Sequence, residues 1–462
     1  MKKPHKTKFP LRAKPNKSSE LIARKPTKVN LIRFTFPTIL SMIIMSTFGI
    51  VDGIFVSRLI DPFALSAVGL VWPFMAFVMA LGFMLGVGGN ALIAKKIGEG
   101  KEHEGRENFS MITATAVIVS IVVALVGFFA RNLILRILGV NEFMQPMALE
   151  YMQPFFFFLP AAVLGMVLQQ FLITVGKAHY SAYMSLASGV ISASLNYVFI
   201  YLLDWGLRGA ALATGVGMTI PMVVGLTYFQ FVRNGSLYFV RPRWDIRALG
   251  RSCINGASEM VSMLSASVAA VMMNNVLMDI DETGMAVAAA AIMWAGMGIF
   301  SSLFFGYSSG VAPIISYNYG KGDKAYLSRA FRNSLRLIGF LAIVAIIISV
   351  ASVGFLLWVY SVSSYSPLYE MVRNGFLFIV SAFLLMGFNG FCTMFFTALN
   401  NGLVSSALSL FNGFIFYLTA LYTLSPIFEL NGVWAAVPAA EALQIGLTVF
   451  FFVKMRKRYG YA

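Results

Sequence analysis

The chain has 462 residues, of which 58% are hydrophobic and only 12% charged, and its mean hydropathy is +0.78. Soluble domains carry about 25% charged residues, so the composition excludes a soluble enzyme or binding module. A formal net charge of +16 would suit nucleic acid, were it not confined to the ends of apolar runs.

Residues 1–30 are basic, polar and dotted with proline (KKPHKTKFPLRAKPNKSSE). They contain neither an apolar core nor a small-residue cleavage site, so a disordered tail is expected here, and no cleaved signal peptide. Such a tail is suited to anionic lipid headgroups. Twelve apolar runs follow, at 32–57, 63–94, 109–130, 149–175, 181–203, 209–232, 253–278, 285–315, 333–360, 371–398, 403–425 and 431–453. A transmembrane helix needs about 20 such residues. Long runs without period-2 alternation point to helices rather than a β-barrel.

The first run holds FPTILSMIIMSTFGIVDGIFV, residues 36–56, with one acid, Asp52. An ionised carboxylate in hydrocarbon costs roughly 2.5 kcal/mol or more. Asp52 must therefore face a wet cavity, meet a cation or take a proton. Pro37 removes a backbone hydrogen bond from the same helix and is the candidate hinge. Pro73, Pro154, Pro160, Pro221, Pro313 and Pro438 interrupt later spans. Two further acids lie inside spans: Glu259, about a turn from the start of the seventh, and Glu441, near the middle of the twelfth. No Lys or Arg lies near a span centre to pair with them. These are possible second acidic sites, open to proton or cation binding or, for Glu259, to simple solvation.

Of the 35 Lys and Arg, 30 fall in segments on one side of a twelve-helix topology: 2–33, 95–106, Lys177, 233–251, 321–336 and 454–458. Arg58, Arg131, Arg136 and Arg208 fall on the other side, and Arg373 just inside the tenth span. This asymmetry predicts that both termini are cytoplasmic in a multi-pass protein of the inner membrane. It also argues against a nucleic-acid partner.

The chain repeats itself. LSAVGLVWPFMAFVMALGFMLGVGGNALIAKKIGEGK (65–101) aligns with VAAAAIMWAGMGIFSSLFFGYSSGVAPIISYNYGKGD (287–323) at an offset of 222, and GLRGAALAT (206–214) with ELNGVWAAV (429–437) at 223. Six spans per half is an even number, so the halves enter the membrane in the same sense and are related by an axis along its normal. The expected fold is all-α, with twelve transmembrane helices in two six-helix lobes related by a pseudo-twofold. The expected divisions are an N-terminal lobe at 31–232, a basic linker at 233–251, a C-terminal lobe at 252–454 and a basic tail at 455–462. At this offset Asp52 falls on Asn274 and Pro37 on Glu259, so the two lobes differ in chemistry.

Cys253 and Cys392 have no metal or redox spacing, and are expected to be packing residues. His5, His103 and His179 all fall in cytoplasmic segments, which argues against a histidine relay within the membrane. No Gly-x4-Gly-Lys-Ser/Thr loop is present, so ATP coupling has no support. With no nucleophile or metal cluster, an enzyme is not expected. The 42 Phe and 26 Met suit a cavity for varied apolar cations, though most must pack or face lipid.

With these features in view, FPTILSMIIMSTFGIVDGIFVSRL with LSAVGL, GLRGAALAT, NGASEMVSMLSASV and above all GYSSGVAPIISYNYGKGD (306–323) resemble the multidrug and toxic compound extrusion (MATE) transporters. The resemblance covers residues 30–455 and is greatest to the bacterial branch with DNA-damage-inducible-type members. It implies a monomeric secondary exporter of small organic cations, an antiporter driven by inward H+ or Na+ with no other cofactor. It also implies an ion-coupling site at Asp52, Ser192, Asn196 and Thr214. Ser192 and Asn196 depart from the family pattern of Asn and Asp, so Asp52 is the one carboxylate left in the site. Asp52 would be the metal ligand if Na+ is the coupling ion. Hard cations favour several oxygens and negative charge, so the loss of a carboxylate favours H+. The competing expectation is a flippase for lipid-linked oligosaccharide or another lipid, whose cavity would hold Arg or Lys for phosphate.

Overall fold

The computed structural model describes residues 25–60, 62–233, 235–360 and 362–461. The described residues form twelve long helices, here α1–α12. The N-terminal six are α1 (Lys28–Leu59), α2 (Pro62–Gly98), α3 (Glu102–Phe129), α4 (Gln145–Thr174), α5 (Ala178–Asn196, continued by a π-turn over Tyr197–Leu202) and α6 (Gly206–Phe231). The C-terminal six begin with α7 (Ile246–Ile280), α8 (Met285–Lys321), α9 (Lys324–Val359) and α10 (Pro367–Ala398). A last helical run covers Gly402–Leu410, a π-turn at Phe411–Phe416 and Tyr417–Tyr459. It is broken at Glu429, whose backbone is at φ 50°, ψ −128°. The break folds the run back on itself, since a Cβ on Gly432 would overlap the Leu424 carbonyl oxygen. Its two arms, 402–428 and 430–459, are α11 and α12. A short helix, Arg131–Ile137, lies between α3 and α4.

Backbone polar groups in hydrocarbon must be paired within the segment, which is why these apolar stretches are helical. Local signals set their ends. Thr27 caps α1 by accepting from the Asn30 N–H at 3.3 Å. Asp245 caps α7, accepting from Arg247 and Ala248 N–H at 3.0 and 3.1 Å. That cap lengthens α7 relative to the sequence expectation. The linker 233–251 ends at Asp245, and the polar turn IRALGR is the first part of a helix. Helix α12 likewise takes in Met455–Tyr459, assigned above to the tail. Tyr459 and Tyr461 are buried, and Tyr461 packs its ring on Phe331 and Phe395. The expected N-terminal tail, apart from its last residues, lies outside the described residues.

The repeat is visible in the backbone. Gly100 (φ 79°) and Gly322 (φ 77°) make the same turn 222 residues apart. Gly176 (φ 75°) and Asn400 (φ 57°) make another at an offset of 224, so the register slips by two residues before α5 and α11. Each lobe has its own apolar core. A third core joins Ile39, Met42, Phe83 and Val87 to Tyr307, Val311 and Ile315 across the lobes.

The lobes meet toward the end of the bundle that carries α1's start and α12's end, the basic end. There, a Cβ on Gly256 of α7 would overlap the Met84 carbonyl of α2, and one on Gly88 the Ser252 carbonyl. Gly306 of α8 lies on the backbone of Ile39 in α1. The Ser309 hydroxyl donates to Gln170 Oε1 at 3.1 Å, and Asn400 Nδ2 to the Ala91 carbonyl at 3.2 Å. The contact loosens along α1. Gly298 of α8 still has Ser46 Oγ at 3.6 Å from its Cβ direction, whereas Gly49, one turn further and on the same face, has open space. The inter-lobe contacts named here thus run along α1 from the basic end as far as Ser46, with open space at Gly49 beyond it.

Candidate functional site

Asp52 sits six residues beyond Ser46 on α1, further from the basic end than the inter-lobe contacts named above, and is half-buried. Three side chains donate to its carboxylate. Asn196 Nδ2 reaches Oδ1 at 2.8 Å, Ser192 Oγ reaches Oδ1 at 3.4 Å and Thr214 Oγ1 reaches Oδ2 at 3.4 Å. Helices α5 and α6 thus bring together the four residues expected from the sequence. Tyr151 of α4, which the sequence reading missed, is also beside Asp52 and interacts with Thr214. Among the described residues no ion pair reaches Asp52, and the ion pairs present lie within segment 95–107.

The geometry suits reversible neutralisation. A carboxylate offers about four acceptor positions, and three neutral donors leave it charged but unsaturated. Asn196 is 1% exposed, and its Oδ1 has no partner. An orphaned buried acceptor is costly, by about 1–3 kcal/mol. With a proton on Asp52, a half-turn of the amide lets Oδ1 accept the new O–H in place of the present Nδ2 bond, so Asn196 can face either state of the acid. A cation would instead need oxygens from Ser192, Thr214 and Asn196 around a single carboxylate, a weak set for a hard ion. No group of three or more His, Cys, Asp or Glu that would hold a metal occurs among the described residues.

The second pair of acids is placed differently from the sequence expectation. Because α7 begins at Ile246, Glu259 is nearly four turns inside it and is buried, not solvated. Glu441 of α12 accepts from Asn389 Nδ2 at 2.7 Å and Asn412 Nδ2 at 3.2 Å. Thr448 Oγ1 donates to Asn389 Oδ1 at 3.3 Å. Glu259, Asn389, Asn412, Ser308 and Ser409 line one cavity of about 280 Å³, into which the hydroxyls of Ser308 and Ser409 bring no partner. At the offset of 224, Asn412 corresponds to Ser188 and not to Asn196. The C-lobe acid thus lies two helical turns nearer the basic end than Asp52 does. A second groove, about 470 Å³, is lined by Phe128, Gln153, Phe157, Phe158 and Arg208 within the N-lobe. It holds one basic residue and does not lie between the lobes.

Comparison with known proteins agrees with this architecture. The MatE family model matches residues 37–198 and 259–420, one block per lobe. The multidrug export protein MepA of Staphylococcus saprophyticus is 23% identical over 89% of this chain and 90% of its own. MepA of Staphylococcus haemolyticus is 22% identical over 93% and 94%. A multidrug resistance MATE family transporter of the MOP superfamily, solved in an outward-facing conformation, superposes with a TM-score of 0.88. That match has 20% identity and covers 97% of this chain and 99% of the other. A MATE protein in a bent conformation superposes with 0.84, at 20% identity over 96% and 98%.

Proposed function

We propose that this chain, which belongs to the MatE family, exports small amphipathic organic cations in exchange for protons, with Asp52 as the group that takes up and returns the proton. The observation that carries this reading is the Asp52 carboxylate held by three neutral donors beside the unpartnered Asn196 Oδ1. The export of multiple drugs named for its MepA relatives supports the substrate class. The basic end is read as cytoplasmic by the distribution of Lys and Arg, and the close inter-lobe contacts there, with the likeness to a transporter solved outward-facing, support reading this conformation as open to the outside. The protein is read as a monomer of the bacterial cytoplasmic membrane.

In the outward-open state Asp52 is within reach of protons from outside. Protonation neutralises the one acid in this site, turns the Asn196 contact from donor to acceptor and favours the N-lobe arrangement that lets go of a cation. Return of the proton to the cytoplasm restores the negative charge and with it the attraction for the next cation. One charge moving through 100 mV supplies about 2.3 kcal/mol. Each unit of pH difference adds about 1.4 kcal/mol. In a one-for-one exchange with a monovalent cation the electrical contributions cancel, so the pH difference sets the cation gradient, about one decade of concentration per unit.

A lipid-phosphate flippase is disfavoured by the acid and amide lining of the C-lobe cavity. The test is ethidium efflux from cells producing Asp52→Asn. Full production with loss of energised efflux is expected. Efflux at the unsubstituted rate would remove Asp52 from the coupling step.

A further inference from the structure

Helix α5 presents one continuous polar face. Ser181, Ser185, Ser188, Ser192 and Asn196 follow one another by four, three, four and four residues, a single stripe of an α-helix. Ser192 and Asn196 hold Asp52. At the other end, Gln169 Nε2 of α4 donates to Ser41 Oγ at 3.1 Å and to Ser181 Oγ and Ser185 Oγ at 2.9 Å each. Ser41 shares further hydrogen bonds with Ser185 at 2.7 Å and Ser181 at 3.1 Å. All four residues are at least nine-tenths buried. Ser181 is only the fourth residue of α5, so this cluster ends about one turn from the basic end. On α1 it is eleven residues, about 16 Å, below Asp52 on the same face.

Between the two polar groups sits Phe48. Its ring lies on Gly189, so closely that a Cβ there would overlap ring carbons. Ser188 turns its hydroxyl aside to the Gly217 carbonyl at 2.7 Å. The head of the column is unsatisfied, since the buried Asn196 Oδ1 has no partner. The matching positions of α11, at the offset of 224, are Ser405, Ser409, Asn412, Phe416 and Ala420. There the polar face stops at Asn412, level with Glu441. A column that continues up to the acid is therefore particular to the lobe that carries Asp52.

We propose that the α1–α5 seam is the route by which the proton on Asp52 leaves toward the cytoplasm, with the Phe48 ring as its closed gate. The proposal rests on the reading of Asp52 as the coupling acid, and adds to it an exit separate from the inter-lobe cleft taken by substrate. When the ring swings off Gly189, water joins the two polar groups. The Asp52 O–H bond breaks as a water or the Ser192 oxygen takes the proton. Each oxygen in the chain then gains one proton and passes on another, until one reaches bulk water beyond Ser181. Asp52 is left as carboxylate, and no electrons are transferred.

The test uses the full-length protein in phosphatidylethanolamine–phosphatidylglycerol vesicles loaded with a pH dye, with proton entry recorded after an external acid step without substrate. Phe48→Ala is expected to raise the protein-dependent leak severalfold, and Phe48→Ala combined with Asp52→Asn to return it to the unsubstituted level. Gly189→Ala, which pushes the ring off by its new methyl group, is a second variant expected to leak. Ser185→Val is expected to slow substrate-driven proton release at unchanged substrate affinity, which mere packing glue would not do. No leak from either gate variant, or a leak indifferent to Asp52, overturns the route. If Asp52→Asn alone leaves substrate-driven proton movement intact, the coupling role itself has failed, a result separate from the leak.

Discussion

Gly98 of α2 and Gly320 of α8 make the same contact in opposite directions: a Cβ on Gly98 would overlap the Tyr317 carbonyl oxygen, and one on Gly320 the Lys95 carbonyl oxygen. Both pairs are related by the offset of 222, so the two helices cross at the pseudo-twofold axis with backbone against backbone. Lys95 also places its ammonium 5.2 Å from the Tyr319 ring. Small residues allow such close crossings in membranes, where packing rather than hydrophobicity holds helices together. This crossing, with those at Gly88 and Gly256, closes the basic end.

Gly98→Val and Gly320→Val should each weaken that closure. Overpacking a tight contact costs about 1–3 kcal/mol, which is roughly a 5- to 150-fold shift in a two-state equilibrium. In a background with Cys253 and Cys392 replaced by Ala, a cysteine at Ser309 should label faster from the basic side in either variant. Unchanged labelling would mean that the crossing does not set the balance between states.

At Glu441, Asn389→Ala should lower the melting temperature more than Asn412→Ala. Asn389 makes the shorter bond to the carboxylate and also donates to the Glu441 backbone carbonyl at 2.9 Å, while Asn412 makes one at 3.2 Å. Hydrogen bonds to charged groups contribute about 1.5–3 kcal/mol each. Introducing Glu441→Gln should shrink both effects in a double-mutant cycle. Additive effects would show that the amides and the acid do not act together.

How far the sequence was legible follows from the type of signal at each position. Asp52 stood out because it is a lone charge in an apolar run, and the family resemblance supplied Ser192, Asn196 and Thr214. The partners of Glu441 were not legible, because Asn389 and Asn412 are neutral residues 52 and 29 positions away on other helices. The serines of α5 carried a periodic signal that serine's frequency in membrane helices masks. The start of α7 was misplaced because its first turns are polar at the interface, where a cap rather than hydropathy decides. Glu259 was consequently set too near the surface.

The cap of α7 should also give a pH signature. Backbone N–H groups of Ala248 and Arg247 hold the Asp245 carboxyl below its ordinary value, against a smaller opposing effect of desolvation. A carboxyl with a lowered folded-state pKa contributes stability at pH above its unfolded value, about 3.9, and loses it as pH falls through the folded one. Thermal stability should therefore decline slightly as the pH falls below that of an ordinary carboxylate. Asp245→Asn keeps the cap and should remove this part of the decline. A decline identical in both proteins would place its origin elsewhere.

Pro37 lies within an unbroken α1, where it leaves the Arg33 carbonyl without its helical partner. Pro37→Ala should raise the melting temperature and slow turnover, since a stiffer α1 resists the change that protonation of Asp52 demands. Turnover equal to that of the unsubstituted protein would exclude a hinge at this position.

The central claim, that a proton on Asp52 is exchanged for an organic cation, is tested most directly in sodium-free proteoliposomes that record dye and proton movement together. An imposed inward proton gradient should drive dye export with matching proton uptake in the unsubstituted protein and neither movement in Asp52→Asn. Dye export that ignores the proton gradient and follows an imposed sodium gradient, or that survives Asp52→Asn, would contradict the account.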